Sequence, residues 1–198
     1  MTRPRILAFA ESDVPADLRA QALDLQQQAW PSASGEPEDS RHDPALAPLC
    51  LFLLTDDSDD ARTVLASLDI LSKRLTHQGR DYAASGLSRV VSSPAHRGRG
   101  HGRRLVAAAR DTIERSGADL GLFTCDSPLR GFYESAGWQF LPGTALIGGT
   151  REDPFPSDRP GFDKVTMAAF LTPHARAHAA TFTGARIALH PGPIDRLW

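Results

Sequence analysis

Residues 90–105 read Val90-Val91-Ser92-Ser93-Pro94-Ala95-His96-Arg97-Gly98-Arg99-Gly100-His101-Gly102-Arg103-Arg104-Leu105, and this stretch is the most informative part of the chain. A short apolar run passes into a basic, glycine-rich loop, and an amphipathic pattern begins directly after it. Backbone N–H groups at the start of a helix lack internal partners and attract anions. The stretch therefore predicts a strand, a loop suited to phosphate and a helix.

Three other interpretations of the loop stay open at this point. As a dinucleotide fingerprint, Gly100-His101-Gly102 lacks the third glycine, and no suitable acidic residue follows the next strand. As a flexible Arg/Gly segment for nucleic acid, the loop is followed by an unexpectedly clean amphipathic helix. A basic surface loop without a ligand fits the spacing as well as a phosphate site does.

The rest of the sequence predicts a mixed α/β fold. Before the loop, helical spacing indicates a helix at Asp17–Trp30. Apolar runs of strand length lie at Ile6–Phe9, Pro48–Thr55, Arg62–Leu71 and Tyr82–Ser92. After the loop, the predicted order is a strand at Asp119–Cys125, a helix at Pro128–Ala136, and strands at Trp138–Leu141, Thr144–Ile147, Asp163–Phe170 and Arg186–His190.

The segments between these elements are predicted as connections. They are the loops Pro31–Pro44 and Gly148–Gly161, the polar connection Lys73–Asp81 and a hairpin turn at Asp56–Asp60. The element order predicts a mostly antiparallel central sheet, helices on both faces and a parallel strand pair around the glycine-rich loop. We expect residues 1–198 to form a single domain.

Composition narrows the class of protein. The 198 residues carry a net charge of −2, which does not favour nucleic-acid binding. No apolar run reaches the length of a membrane span. Cys50 and Cys125 lie in apolar surroundings without metal-ligand spacing, so we expect reduced core residues and a cytoplasmic location. The seven histidines are scattered, and we predict no metal site.

Two motifs resemble the signatures of the GNAT N-acetyltransferases. Arg97–Gly102 is similar to the Arg/Gln-x-x-Gly-x-Gly/Ala loop, and Leu129–Trp138 is similar to a helix ending in Phe-Tyr-x-x-x-Gly-aromatic. The resemblance implies the GNAT fold and acetyl-CoA as co-substrate. It implies that the pyrophosphate binds the loop residues Arg97, Gly98, Arg99, Gly100, His101, Gly102 and Arg103. It also implies that the backbone of Val90, Val91 and Ser92 holds the pantetheine arm and polarises the acetyl carbonyl.

The resemblance also implies a catalytic acid, whereas the candidates for the base are chosen by their position in the sequence. Tyr133 matches the family's tyrosine, whose phenol protonates the departing CoA thiolate. Asp126, at the exit of a predicted strand, is the catalytic candidate for the base that removes the amine proton. Asp69, Asp195, the terminal carboxylate of Trp198 and a chain of water molecules are alternatives.

The order of elements and the C-terminal end are more distantly similar to those of the aminoglycoside 2′-N-acetyltransferases. It rests on Ala66–Gly79, the C-terminal strand and the ending at Asp195 and Trp198. It implies that Ser88, Asp195 and Trp198 bind the acceptor substrate. Ser88 stands where those enzymes carry a glutamate, so the similarity implies the fold and the acetyl donor but not the antibiotic.

The predicted function is transfer of acetyl from acetyl-CoA to a primary amine of a small molecule, by direct attack in a ternary complex. The predicted partner is that amine, without nucleic acid or membrane, and a homodimer is one assembly open to the chain. One alternative is a catalytically inactive GNAT-fold module that binds CoA or a small molecule. A nucleic-acid-binding protein that uses His96–Arg104 is another.

Overall fold

The structure is a computed structural model that describes residues 4–31, 41–55 and 62–198. The predicted hairpin turn at Asp56–Asp60 and most of the predicted loop Pro31–Pro44 lie outside these ranges. Within them, no helix combines the length and apolar character needed to cross a membrane.

Ten strands form two sheets in the described residues. The strands are β1 (Arg5–Ala10), β2 (Leu49–Leu54), β3 (Val64–His77), β4 (Arg80–Ser92), β5 (Leu120–Asp126), β6 (Gln139–Leu141), β7 (Ala145–Gly149), β8 (Pro154–Pro156), β9 (Lys164–Phe170) and β10 (Arg186–Ala188). The large sheet has the order β1-β2-β3-β4-β5-β9-β6, and the small sheet has the order β10-β7-β8. In the large sheet only β4 and β5 pair in parallel.

Helices cover both faces of the large sheet. They are α1 (Ala16–Ala29), α2 (His101–Arg115), α3 (Arg130–Ser135) and α4 (Pro173–Ala177). Leu18 and Leu25 of α1 pack against Phe52 of β2, whereas α2 buries Leu105 and Ile113 in a separate, larger core cluster. The two clusters lie apart because consecutive strand side chains point to opposite faces. The predicted fold class is therefore confirmed.

Two predicted connections are wrong in part. Lys73–Asp81 is not a connection, because β3 continues to His77 and β4 begins at Arg80. The turn between them is Gln78–Gly79, with φ of +48° and +72°. The predicted loop Gly148–Gly161 contains β8, which pairs with β7.

Candidate active site

The glycine-rich loop has the geometry of an anion site. Gly98 and Gly100 have φ of +76° and +77°, and an added Cβ at either residue would meet nothing within 4 Å. Such dihedrals suit glycine. The helix begins at His101, and Arg104 N–H is bonded to Gly100 O at 3.0 Å. The first helical turn begins at His101, and the N–H groups of a first turn have no partner within the helix. They can therefore bind an anion.

Cationic side chains surround this loop. Arg97, Arg99 and Arg103 are exposed, and Arg103 Nε donates to Ser135 O at 3.0 Å, which connects the first turn of α2 to α3. The pKa of His101 is lowered by burial and by the neighbouring charges of His96, Arg99 and Arg104. A positive field lowers the pKa of a histidine and attracts phosphate.

Strand β4 separates from β5 about halfway along its length. The two strands pair only at Ala84 with Leu120 and at Ser85 with Gly121. Further along β4, Leu68 of β3 stands against two residues, Arg89 and Val90. Arg89 has φ of +50°, so this β-bulge places a non-glycine residue in a left-handed conformation. A bulge bends its strand, and this one lies on the part of β4 that has already separated from β5 after Ser85.

The divergence opens a cleft of about 310 Å³ between the two strands. Ser88, Arg89 and Val90 form one wall, and Asp126 and Tyr133 lie opposite. Val91 is buried, and Ser92 is the last residue of β4 before the loop. One path therefore runs along β4 from the cleft to the glycine-rich loop.

Tyr133 lies in this cleft on helix α3. Its ring packs edge-on against Phe123 and Phe132, each with centroids 5.0 Å away. Burial, with smaller effects from Cys125 and Asp126, raises the pKa of the Tyr133 phenol above its ordinary value. The phenol is therefore neutral at pH 7 and carries a proton that it can donate.

Asp126 ends β5 at the edge of the cleft. Its Oδ1 accepts a hydrogen bond from Lys164 Nζ at 2.6 Å, and its side chain is 57% exposed. Cys125, the residue before it, is a buried thiol whose pKa is raised to about 11, chiefly by burial. At pH 7 Cys125 is therefore protonated and a poor nucleophile.

The three residues predicted to bind the acceptor lie in different environments. Ser88 and Trp198 line the cleft. Asp195 is buried away from these walls, and its Oδ1 lies 2.6 Å from His42 Nδ1. The other ring nitrogen, His42 Nε2, lies 2.9 Å from Asp69 Oδ2.

Asp69, His42 and Asp195 thus form a buried chain, termed here the Asp–His–Asp triad. The His42 side chain is fully buried. Burial alone would lower the pKa of His42, but the hydrogen bonds with Asp195 and Asp69 outweigh burial and raise it to about 9. The ring is therefore protonated at pH 7, and both nitrogens donate.

His42 has no sequence pattern that marks it as a member of this site. Its partners lie 27 and 153 positions away, so no local spacing brings the three together. Glu11 adds a third acidic group, since its Oε1 accepts from the His42 backbone N–H at 3.3 Å. Within residues 4–31, 41–55 and 62–198, no histidine, cysteine and carboxylate grouping is arranged to hold a metal ion.

A splayed parallel strand pair that leads into a glycine-rich loop and a helix defines an acyltransferase that uses an acyl-CoA donor. The sequence profile of the acetyltransferase (GNAT) domain matches residues 13–141, and the chain belongs to that family. It is an acetyl-CoA-dependent N-acyltransferase. No protein of curated function matches the sequence significantly.

Solved structures show the same fold. A GNAT family N-acetyltransferase from Escherichia coli (YhbS), solved in complex with CoA, superposes with a TM-score of 0.64 at 18% identity, over 96% of this chain and 91% of its own. An acyl-CoA N-acyltransferase from Pseudomonas aeruginosa gives 0.57 at 18% identity, over 83% and 98%. Escherichia coli ElaA gives 0.56 at 16% identity, over 83% and 98%.

Proposed function

We propose that this protein transfers the acetyl group of acetyl-CoA to a primary amine of a small molecule, by direct attack in a ternary complex. The observation that carries the proposal is the continuous path from the glycine-rich loop, along Val90–Ser92, to the cleft that holds Tyr133. Residues 1–198 would act as one catalytic domain.

The donor would bind along this path. The pyrophosphate would accept hydrogen bonds from the backbone of Gly98–Arg103, with the Arg97 and Arg99 guanidinium groups nearby. The backbone of Val90, Val91 and Ser92 would hold the pantetheine arm. A backbone N–H of this segment would polarise the acetyl carbonyl, because β4 has no strand partner on the β5 side beyond Ser85 among the described residues.

Tyr133 would act as the general acid. The amine nitrogen attacks the thioester carbonyl carbon, a C–N bond forms and the C–S bond breaks. The departing sulfur takes a proton from the Tyr133 hydroxyl. The tyrosinate then regains a proton from solvent. The protonated state of Cys125 supports direct attack over an acetyl-cysteine intermediate.

The acceptor would enter from the side of the cleft lined by Asp126. A volume of about 310 Å³ lies at the small end of the range for small-molecule sites. The aromatic rings of Phe155 and Phe162 line the same cleft, which suits an organic amine. Asp126 would attract the cationic amine and pass its proton to solvent, and Ser88 would donate or accept a hydrogen bond. An aminoglycoside-like amine is one member of this class.

Calorimetry with acetyl-CoA tests the donor site, with Gly100→Glu as the variant and Gly117→Glu as its matched control. Gly117 lies just beyond the other end of α2, has φ of +79° and also has open space at the Cβ position. Both variants therefore carry the same strain and added charge. We expect binding to be lost in Gly100→Glu alone. Absence of binding to the folded wild type would overturn the proposal.

An amine panel with thiol-release detection then tests turnover. Ser88 stands in place of an acidic residue, so the class of acceptor is the part of the reaction that this panel tests. Acetyl-CoA binding without thiol release for any small-molecule amine would contradict the proposed acceptor class. Release that depends on a small-molecule primary amine would support the transferase.

A further inference from the structure

Trp198 fills the point at which β4 and β5 separate. Its side chain lies at the inner end of the cleft, and the residue is only 8% exposed. The indole Nε1 donates to the backbone carbonyl of Leu122 at 2.8 Å. Leu122 follows Gly121, the last residue of β5 that pairs with β4. The indole therefore satisfies a carbonyl that lies just where the strand pairing stops.

Gly86 is fitted to this ring on the opposite strand. A Cβ at residue 86 would overlap the indole of Trp198 and also approach Leu122 O. The absence of a side chain at Gly86 thus leaves the space that the tryptophan occupies. Strand β5 supplies the hydrogen-bond acceptor for the indole, and β4 supplies the space that the ring fills. The indole is therefore held in one position.

The indole of Trp198 lies at the end of the path along β4 on which the acyl-CoA donor would bind. A pantetheine arm that starts at the glycine-rich loop and follows β4 backwards passes Ser92, then Val90, and meets the indole near Gly86. The acyl group is the last part of the donor on that path. We propose that Trp198 is the specificity-determining residue for the acyl group, which admits acetyl and excludes longer chains. This inference rests on the proposed function.

The Asp–His–Asp triad holds the segment that carries Trp198. The Trp198 backbone N–H donates to Asp195 O at 3.3 Å, and the Asp195 carboxylate is bonded to His42. His42 is in turn bonded to Asp69, which pairs with Ser88 in the wall of the cleft. A second bond, from Gly149 N–H to Arg196 O at 2.8 Å, attaches the same segment to β7. His42 and Asp195 are therefore positioning residues for Trp198.

The test compares acetyl-, propionyl-, butyryl- and hexanoyl-CoA with unacylated CoA. Calorimetry gives the affinity of each donor relative to CoA and needs no acceptor, and kcat/KM is measured where an amine is accepted. The variants are Trp198→Ala and, as matched control, Trp30→Ala at a tryptophan that is 54% exposed at the rim of the cleft. In Trp198→Ala we expect the preference for longer donors to rise about fourfold per added methylene, and so about fifteenfold for butyryl over acetyl. In Trp30→Ala the ratio should not change.

A conservative variant keeps the test decisive when Trp198→Ala does not fold. Trp198→Phe retains an aromatic ring but is smaller and lacks the N–H, and it should admit propionyl while still excluding hexanoyl. The positioning role predicts that His42→Gln and Asp195→Asn shift the acyl ratio in the same direction by a smaller factor. A residue with a purely structural role would lower stability without changing that ratio.

The outcomes separate this inference from the proposed function. Wild-type protein that binds no CoA would overturn both. Wild-type protein that binds acetyl-CoA, with an unchanged acyl ratio in folded Trp198→Ala or Trp198→Phe, would overturn only the inference. A raised preference for longer acyl donors in the Trp198 variants, with no shift in His42→Gln or Asp195→Asn, would support the role of Trp198. The same result would overturn the positioning role of His42 and Asp195.

Discussion

Asp69 of β3 pairs directly with Ser88 of β4, so their side chains emerge on the same face of the sheet. In the aminoglycoside 2′-N-acetyltransferases, whose similarity to this chain stays a prediction, a glutamate stands at the position of Ser88. In this protein the nearest strand neighbour carries the carboxylate instead, and that carboxylate is engaged by His42. The carboxylate of Asp69 is therefore held by the buried ring of His42.

Asp69→Asn should destabilise the fold. The substitution leaves the protonated His42 with one carboxylate instead of two, in a site where the ring is fully buried. Asp195 still pairs with the ring, so the loss is that of one hydrogen bond to a charged group, about 1.5–3 kcal/mol. Urea denaturation measures the loss.

Asp126→Asn is the control for that experiment because it makes the same chemical change at an exposed ion pair with Lys164. Exposed pairs contribute about 0–1 kcal/mol. Equal losses in the two variants would show that the triad stabilises no more than a surface pair.

Alkaline pH should weaken the fold through His42. The folded-state pKa of about 9 lies above the ordinary value of 6.5, so the contribution is complete below pH 6.5 and is lost as pH rises through 9. The charges that face the ring are Asp195 and Asp69, which favour its protonated form, and Arg89, which opposes it. The shift corresponds to roughly 3 kcal/mol as an upper bound.

Denaturation of the wild type and of His42→Gln at several pH values between 6 and 10 measures this contribution. The stability difference between the two proteins should shrink across that range. A difference that stays constant would mean that His42 is not protonated in the folded protein.

Tyr133→Phe should lower kcat and leave the affinity for acetyl-CoA almost unchanged. Phenylalanine keeps the edge-on packing against Phe123 and Phe132 but removes the proton donor. Loss of a general acid typically lowers the rate by about 10²–10⁴-fold. Steady-state kinetics with an accepted amine, together with calorimetry, separates the two effects, and an unaltered kcat would exclude Tyr133 as the acid.

Cys125→Ala should retain activity within about threefold, because a thiol with a pKa raised by burial is a poor nucleophile at neutral pH. The measurement is kcat together with a search for a burst of thiol release before the amine is added. A burst in the wild type that disappears in the variant would instead indicate an acetyl-cysteine intermediate.

The local parts of the site could be predicted from the sequence. Residues 90–105 carry the strand, loop and helix within one continuous stretch, and the loop glycines at 98 and 100 have the left-handed dihedrals that favour glycine. The bulge at Arg89 could not be predicted, since it depends on the register between β3 and β4.

Two parts of the molecule could not be predicted, one for a local reason and one for a long-range reason. The polar residues around the β3–β4 turn predict a connection, although Leu75 and His77 alternate with exposed residues and are buried. The turn also begins with Gln78 and not with asparagine or aspartate. His42 was not recognised as part of the site because its two carboxylate partners come from distant parts of the chain.

The bond between His42 and Asp195 also has a consequence for folding order. It closes a loop of 153 residues, and contacts of that separation form late because the entropy of closure must first be overcome. We therefore expect refolding to restore the sheet before the environment of Trp198, which stopped-flow circular dichroism and tryptophan fluorescence would resolve in time. A refolding molecule would then pass briefly through a state that does not distinguish acetyl from longer acyl groups. It would select acetyl only after the segment that carries Trp198 has packed against the sheet.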